Sequence, residues 1–201
     1  GDRVLMKIEI ENVLPADIEK RSMQIIGEEL ASRGITLDTA NEAVIKRVIH
    51  TSADFDYADN LTFTPGVVEQ AVAALGEGAT IVTDTKMACA GINKTALGKL
   101  GCQAACFISD EDVATAAKKA GSTRAVASME KAARLAGNLI FAIGNAPTAL
   151  IRLYEMIEDG TIAPRLVIGV PVGFVNVIES KELIISADVP SIVARGRKGG
   201  S

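Results

Sequence analysis

Aromatic residues are scarce in this sequence. It has no Trp, two Tyr and five Phe, 3% of its 201 residues. A core must therefore be built from Ala, Val, Ile and Leu, a composition that suits helices packed on a parallel sheet. Histidine is nearly absent too: His50 stands alone, so any imidazole chemistry must use it, and a dinuclear metal centre has no second imidazole to draw on. The three cysteines, Cys89, Cys102 and Cys106, are odd in number and form no C-x-x-C pair of the redox or zinc type. If Cys102 and Cys106 share a strand, they lie on one face about 13 Å apart, at ~3.3 Å per residue, too far for a disulfide. All three are expected to act as buried small hydrophobes. No stretch approaches the roughly 18 uninterrupted apolar residues of a membrane span. Residues 1–7 lack the long apolar run of a secretory signal, which makes the cytoplasm the expected location.

Several chemical signatures are also missing. Neither G-x-G-x-x-G nor G-x-x-x-x-G-K-[ST] occurs, and no G-x-S-x-G elbow presents a nucleophilic serine. Asp54, Asp56 and Asp59 are spaced like fragments of a calcium loop, but the remaining ligand positions are not filled. Lys and Arg number 21 against 25 Asp and Glu, a net charge of −4 that argues against nucleic acid or a membrane surface as the principal partner. A small anionic ligand remains compatible with that balance, because local charge matters more than the sum. The length and the 48% hydrophobic content suit one well-buried domain over residues 1–201, with no internal repeat or linker.

What is present is rhythm. Residues 15–34 read as a helix, with Pro15 in its first turn, Ile18, Ser22, Ile25, Ile26 and Leu30 at three- and four-residue steps, and Gly34 as its stop. A second helix is predicted from Asp38, as N-cap, to His50, with Val44, Ile45, Val48 and Ile49 as its buried stripe. Residues 52–64 alternate loosely and read as a strand leading into a helix over 65–76. Strands are then predicted at 79–82, 104–108, 138–143 and 166–170, and helices near 87–100, 110–120, 123–136 and 146–158. Strands alternating with helices imply right-handed crossovers and a parallel sheet covered on both faces. Such sheets bind ligands beyond the carboxyl ends of their strands.

The candidate functional residues sit at strand ends and at one helix end. At about 100° per residue, Lys46, Arg47 and His50 face away from the apolar stripe of their helix. Spacing leaves two roles open for His50: capping the last carbonyls of the helix, or chemistry on a ligand. The turns Thr83-Asp84-Thr85-Lys86, Gly121-Ser122-Thr123-Arg124 and Gly144-Asn145-Ala146-Pro147 are polar or glycine-rich. Backbone N–H groups at such helix starts can hold an anion, with Lys86 or Arg124 adding charge, although ordinary turn chemistry accounts for each turn singly. A fourth turn, Val170 to Asn176, precedes the charged run Glu179-Ser180-Lys181-Glu182.

Taken in order, seven segments resemble the precorrin-8X methylmutase family: Glu19 to Ser22, Arg47 to His50, Thr83 to Met87 with Gly91-Ile92, Gly121 to Arg124, Gly144-Asn145-Ala146-Pro147-Thr148-Ala149-Leu150, Pro171 to Val175 with Glu179 to Lys181, and Arg195 to Ser201. Each is weak alone; seven in register are specific. The resemblance implies a flavodoxin-like, three-layer α/β/α sandwich with a doubly wound, mainly parallel sheet. It implies an isomerase that moves a methyl group from carbon 11 to carbon 12 of precorrin-8X or cobalt-precorrin-8 in cobalamin biosynthesis. The expected route is a [1,5]-sigmatropic shift with no metal or cofactor, in which His50 protonates the ring-C nitrogen. By the same resemblance Ser22 and Arg47 contact substrate, and Lys86, Arg124 and Asn145 join them. A homo-oligomer, expected as a dimer, would share active sites between subunits. Family members continue past the Gly-Gly-Ser with a helix rich in small residues, whereas this sequence stops at Ser201. The rival reading is a non-catalytic tetrapyrrole-binding module.

Overall fold

A computed structural model describes residues 8–201; the expectation that residues 1–7 lack a secretory apolar run falls outside the described residues. The chain divides into two compact units, residues 1–58 and 59–201. In the first, a 3-10 turn at Pro15–Asp17 leads into α1 (Ile18–Ser32), and α2 (Glu42–Ser52) follows. Gly34, at φ +70, ends α1: its N–H bonds Ala31 O and the next N–H, that of Ile35, bonds Leu30 O, so the last carbonyls of the helix are met.

The two helices keep the predicted positions with narrower apolar faces. Ile26 and Leu30 of α1 are buried, while Ile18 and Ile25 are exposed. In α2, Ile45 and Ile49 are buried, with Val44 and Val48 half-buried. Asp38 is not the N-cap of α2. Its Oδ1 accepts the Ala40 N–H in a local turn, and the helix starts four residues later behind Asn41. The strand expected over 52–64 shrinks to three residues. Asp54 accepts the Asp56 N–H and Ser52 accepts the Asp54 N–H, so side chains take backbone donors that a ladder would need. α3 (Tyr57–Asn60) follows, and only β1 (Leu61–Phe63) is extended.

The second unit holds the whole sheet. After β1 come α4 (Val67–Gly76), β2 (Thr80–Thr83), α5 (Lys86–Gly91), α6 (Lys94–Lys99), β3 (Gln103–Cys106), α7 (Glu111–Ala120), α8 (Arg124–Ala132), β4 (Leu139–Ile143), α9 (Pro147–Glu158), β5 (Leu166–Gly169), α10 (Val177–Ser186) and β6 (Ser191–Ala194). The strand order is β1-β6-β5-β4-β2-β3, all parallel except the β1 edge. With β1 set aside, the five parallel strands follow the doubly wound flavodoxin-like order. Alternate residues of the central strands serve opposite faces. Phe141, Ile143, Val167 and Val193 join Leu150 and Leu153 of α9 and Ile184 of α10 in one core. Ile140, Leu166 and Ile192 join Val67 and Ala74 of α4 and Leu97 of α6 in the other. Helices on both faces make three layers.

The four predicted strands of this unit lie within two residues of those observed. The helix expected over 87–100 is two, because Asn93 accepts the Ala96 N–H and starts a new helix after Gly91. α10 and β6 were not anticipated. Cys102 is buried, its thiol donating to Leu75 O and accepting the Ala79 N–H; Cys89 and Cys106 are only half-buried. Among the described residues no helix is long and apolar enough to cross a membrane, and no three His, Cys, Asp or Glu side chains are grouped to hold a metal.

Candidate functional site

β2 and β4 are neighbours, yet the chain leaves β2 for β3 on one side and β4 for β5 on the other. Their carboxyl ends thus form the topological switch point where this architecture leaves a crevice. One side chain ties the two ends together. Asp84, 2% exposed at the end of β2, accepts the N–H groups of Gly144 (2.9 Å), Asn145 (2.9 Å) and Ala146 (2.7 Å) at the end of β4. A buried carboxylate is tolerable because these donors, at the start of α9, replace its water. The finding corrects one expectation: the Gly144 turn does not offer its N–H groups to an outside anion, since Asp84 already occupies them. Asn145 keeps an exposed side chain, and Lys86, two residues beyond Asp84, is exposed at the start of α5. The structure thus places Lys86 and Asn145 at the same pair of strand ends. Thr85 caps α5 by accepting the Ala88 N–H.

The glycine-rich tail runs across this end of the sheet. Gly200 N–H donates to Val170 O at 2.8 Å, Gly173 N–H to Arg197 O at 3.1 Å, and the Ser201 and Thr85 hydroxyls pair at 2.8 Å. The approach leaves no room for side chains. A Cβ on Gly144 would lie 2.6 Å from Ser201 Cα, and one on Gly199 would lie 2.0 Å from Val170 O. Lys181 of α10, with no exposed surface, reaches up from below; its Nζ donates to Gly196 O (2.7 Å) and Lys198 O (2.9 Å). Burial lowers its pKa from the ordinary 10.5 to about 8. Beside the tail, Phe174 and Val175 are exposed, and the Arg197 guanidinium lies 5.2 Å from the Phe174 ring centroid.

In the first unit, His50 occupies the last turn of α2 and is half-buried. The last turn carries other bonds: the Thr51 hydroxyl donates to Arg47 O, the Ser52 hydroxyl donates to Val48 O, and the Ala53 N–H caps Ile49 O. Among the described residues the imidazole makes no hydrogen bond, so the capping role falls away. One turn earlier, Arg47 donates to Glu19 of α1. That bond, then the Arg47 charge and more weakly the His50 charge, hold the Glu19 carboxyl below its usual range. Ser22 lies one turn after Glu19 on α1 and is half-buried. Glu19, Ser22, Arg47 and His50 therefore belong to one helix pair. In the second unit, Arg124 is exposed at the start of α8 beside an open groove of about 410 Å³ lined by Ala114, Thr115, Lys118 and Ser122. None of the other expected site residues lines that groove.

Sequence reasoning missed the roles of Asp84 and Lys181. Asp84 stood inside a noted motif, and an acidic residue closing an apolar strand next to a Gly-Asn-Ala-Pro turn is the signal that marks it. Lys181 looked like part of a solvated charge run, and no local signal separates the two cases.

An open doubly wound sheet with its switch point between β2 and β4 defines an α/β protein of the class that binds ligands beyond its strand ends. A family model described as Precorrin-8X methylmutase matches residues 17–201. Similar proteins include the cobalt-precorrin-8 methylmutase of Priestia megaterium, 43% identical over 94% of this chain and 83% of that protein. The precorrin-8X methylmutase of Pseudomonas aeruginosa is 38% identical over 92% of this chain and 88% of that protein. A solved structure of precorrin-8X methyl mutase from Thermus thermophilus superposes with a TM-score of 0.81 at 37% identity, covering 92% of this chain and 89% of that one. The chain belongs to the precorrin-8X methylmutase family. It is an intramolecular methyl-transferring isomerase.

Two stability predictions follow from the buried charges. Asp84→Asn turns one acceptor into a donor against the converging N–H groups, and should cost about 2–3 kcal/mol in urea unfolding. A cost below about 0.5 kcal/mol would remove the Asp84 tie from its central place. For Lys181 the folded pKa lies below the unfolded one, so between about pH 8 and 10.5 the unfolded state binds more protons and stability rises with pH. Wild type should gain about 3 kcal/mol over that window relative to Lys181→Met, with the full penalty present below pH 8. Parallel pH profiles for the two proteins would contradict this.

Proposed function

We propose that the protein moves the methyl group on carbon 11 of precorrin-8X, or of cobalt-precorrin-8, to carbon 12 during cobalamin biosynthesis, acting as a cytoplasmic homo-oligomer. The observation that carries the proposal at residue level is His50. The chain's only imidazole stands at a helix end free of hydrogen bonds among the described residues, with Arg47 and the ionised Glu19 beside it. A group held for capping would be spent; this one is available to a ligand.

In this reading the His50 imidazolium gives its proton to the ring-C nitrogen. The protonated ring draws electron density from the conjugated system, and the methyl group migrates with its bonding pair in a [1,5]-sigmatropic step. The proton then returns to His50, so atoms and charge balance without an external acid or oxidant. Proton transfer of this kind is worth about 10²–10⁴-fold, and orientation of the macrocycle supplies the rest of the acceleration. Arg47 and Ser22 would contact substrate next to His50, with Arg47 exchanging part of its Glu19 pairing for a peripheral carboxylate. Lys86, Asn145 and Arg124 are assigned to the remaining polar edges of the substrate.

Adding precorrin-8X to purified protein and following the optical spectrum tests the proposal. Wild type should produce the hydrogenobyrinic acid spectrum, and His50→Ala should lower kcat about 10²–10⁴-fold with an unchanged melting temperature. Equal conversion by both would remove His50 as the acid; binding without conversion by wild type would favour a non-catalytic tetrapyrrole-binding module. Arg47→Ala should raise KM about five- to tenfold and leave kcat nearly unchanged, since its contact is made in ground and transition states alike. An unchanged KM would take Arg47 out of the site.

A further inference from the structure

We infer that Lys181 is a positioning residue that holds the glycine-rich segment 196–201 across the carboxyl ends of β4 and β5 as part of the surface on which the substrate rests. The inference depends on the methylmutase reading for the identity of the ligand, and on the geometry alone for the grip.

Three features of the segment lead to it. First, residues 196–201 place no apolar side chain in either core, so holding them down does nothing for packing. Yet a lysine with no exposed surface is committed to two of their carbonyls, at 2.7 and 2.9 Å. A buried amine is costly, and an apolar residue of similar length would fill the same space without that cost. Second, the backbone lies so close to the strand ends that only glycine fits. Gly199 cannot carry a Cβ beside Val170 O, and Gly200 sits at φ +140, where L side chains are strained. Bare backbone of this kind presents a flat floor to a large planar ligand. Third, the groups around the floor match a flat apolar ring with carboxylate-bearing edges. Phe174 and Val175 offer exposed apolar surface, Arg197 a cation over the Phe174 ring, and the Ser201–Thr85 hydroxyl pair a free donor beside the switch point.

The grip is well suited to its task because both acceptors are backbone carbonyls separated by one residue. Pinning Gly196 O and Lys198 O fixes the carbonyls on either side of Arg197, whose own carbonyl accepts the Gly173 N–H. The β5–α10 turn and the tail are thereby locked together. At the base of the tail, Arg195 makes a two-pronged pair with Glu182, at 3.0 and 2.9 Å, which anchors the segment one residue before the glycines begin.

Lys181→Met keeps the length of the side chain and removes its donors. With precorrin-8X as substrate, KM should rise about tenfold while kcat stays within about threefold, the signature of lost positioning in binding and not of lost proton transfer. In the same protein, trypsin should cleave after Arg197 and Lys198 at least about tenfold faster than in wild type, while the melting transition remains cooperative. Should Lys181→Met fail to fold, Gly199→Ala displaces the same segment from the surface side and should show the same two changes. An unchanged tryptic rate in whichever of these variants folds would overturn the grip. A freed tail with an unchanged KM would overturn its place in the substrate surface. If wild type converts no precorrin-8X, the methylmutase reading falls together with the ligand named for this surface, and the tryptic comparison still decides whether Lys181 holds the tail.

Discussion

Three backbone N–H groups ending on one buried carboxylate fix the strand ends at the switch point of this sheet. Asp84 closes β2, and Gly144, Asn145 and Ala146 open the turn after β4; their bonds set the spacing of the two strand ends at the switch point. Parallel strands are held side by side by their own ladder, but nothing in a ladder dictates where the loops beyond it go. The Asp84 tie does so. It sets the start of α9, whose Leu150 and Leu153 pack back on the sheet, and it uses the anion-binding capacity of that turn internally. A ligand approaching this end therefore meets side chains and bare glycine backbone, not a phosphate cradle, in keeping with a reaction that transfers no phosphate.

The second constraint is the close approach of the tail. Gly144 and Gly199 have no space for a Cβ because segment 196–201 crosses directly over the strand ends. Lys181 supplies the force that keeps it there, at the cost of burying an amine. The first unit obeys a different economy. Its charged groups, Glu19 and Arg47, are exposed and exchange partners at little cost, as the substrate contact proposed for Arg47 requires.

Much of the fold was readable because parallel strands buried on both faces spell themselves out as apolar runs. The runs around Ile140 and Val167 could hardly be anything else. β6, as long as β2, β3 and β5, escaped because no helix follows Ser191–Ala194 among the described residues to continue the strand–helix rhythm. α10 escaped because Lys181, read as a surface charge, broke an apolar stripe in which it is in fact an inward-facing member. The overlong strand over 52–64, of which only β1 is extended, and the false cap at Asp38 share a cause: Asp and Ser side chains took backbone N–H groups in local turns, a competition that periodicity does not register. At the candidate site, spacing located His50 on the polar side of its helix but could not separate capping from chemistry. The imidazole, which makes no hydrogen bond among the described residues, decided that question.

The most direct test of the account is a crystal structure with hydrogenobyrinic acid bound. It should show an imidazole nitrogen of His50 within about 2.6–3.2 Å of the ring-C nitrogen, directly or through one water. A macrocycle bound with ring C turned away from His50, and no water between them, would contradict the central claim that this histidine delivers the proton.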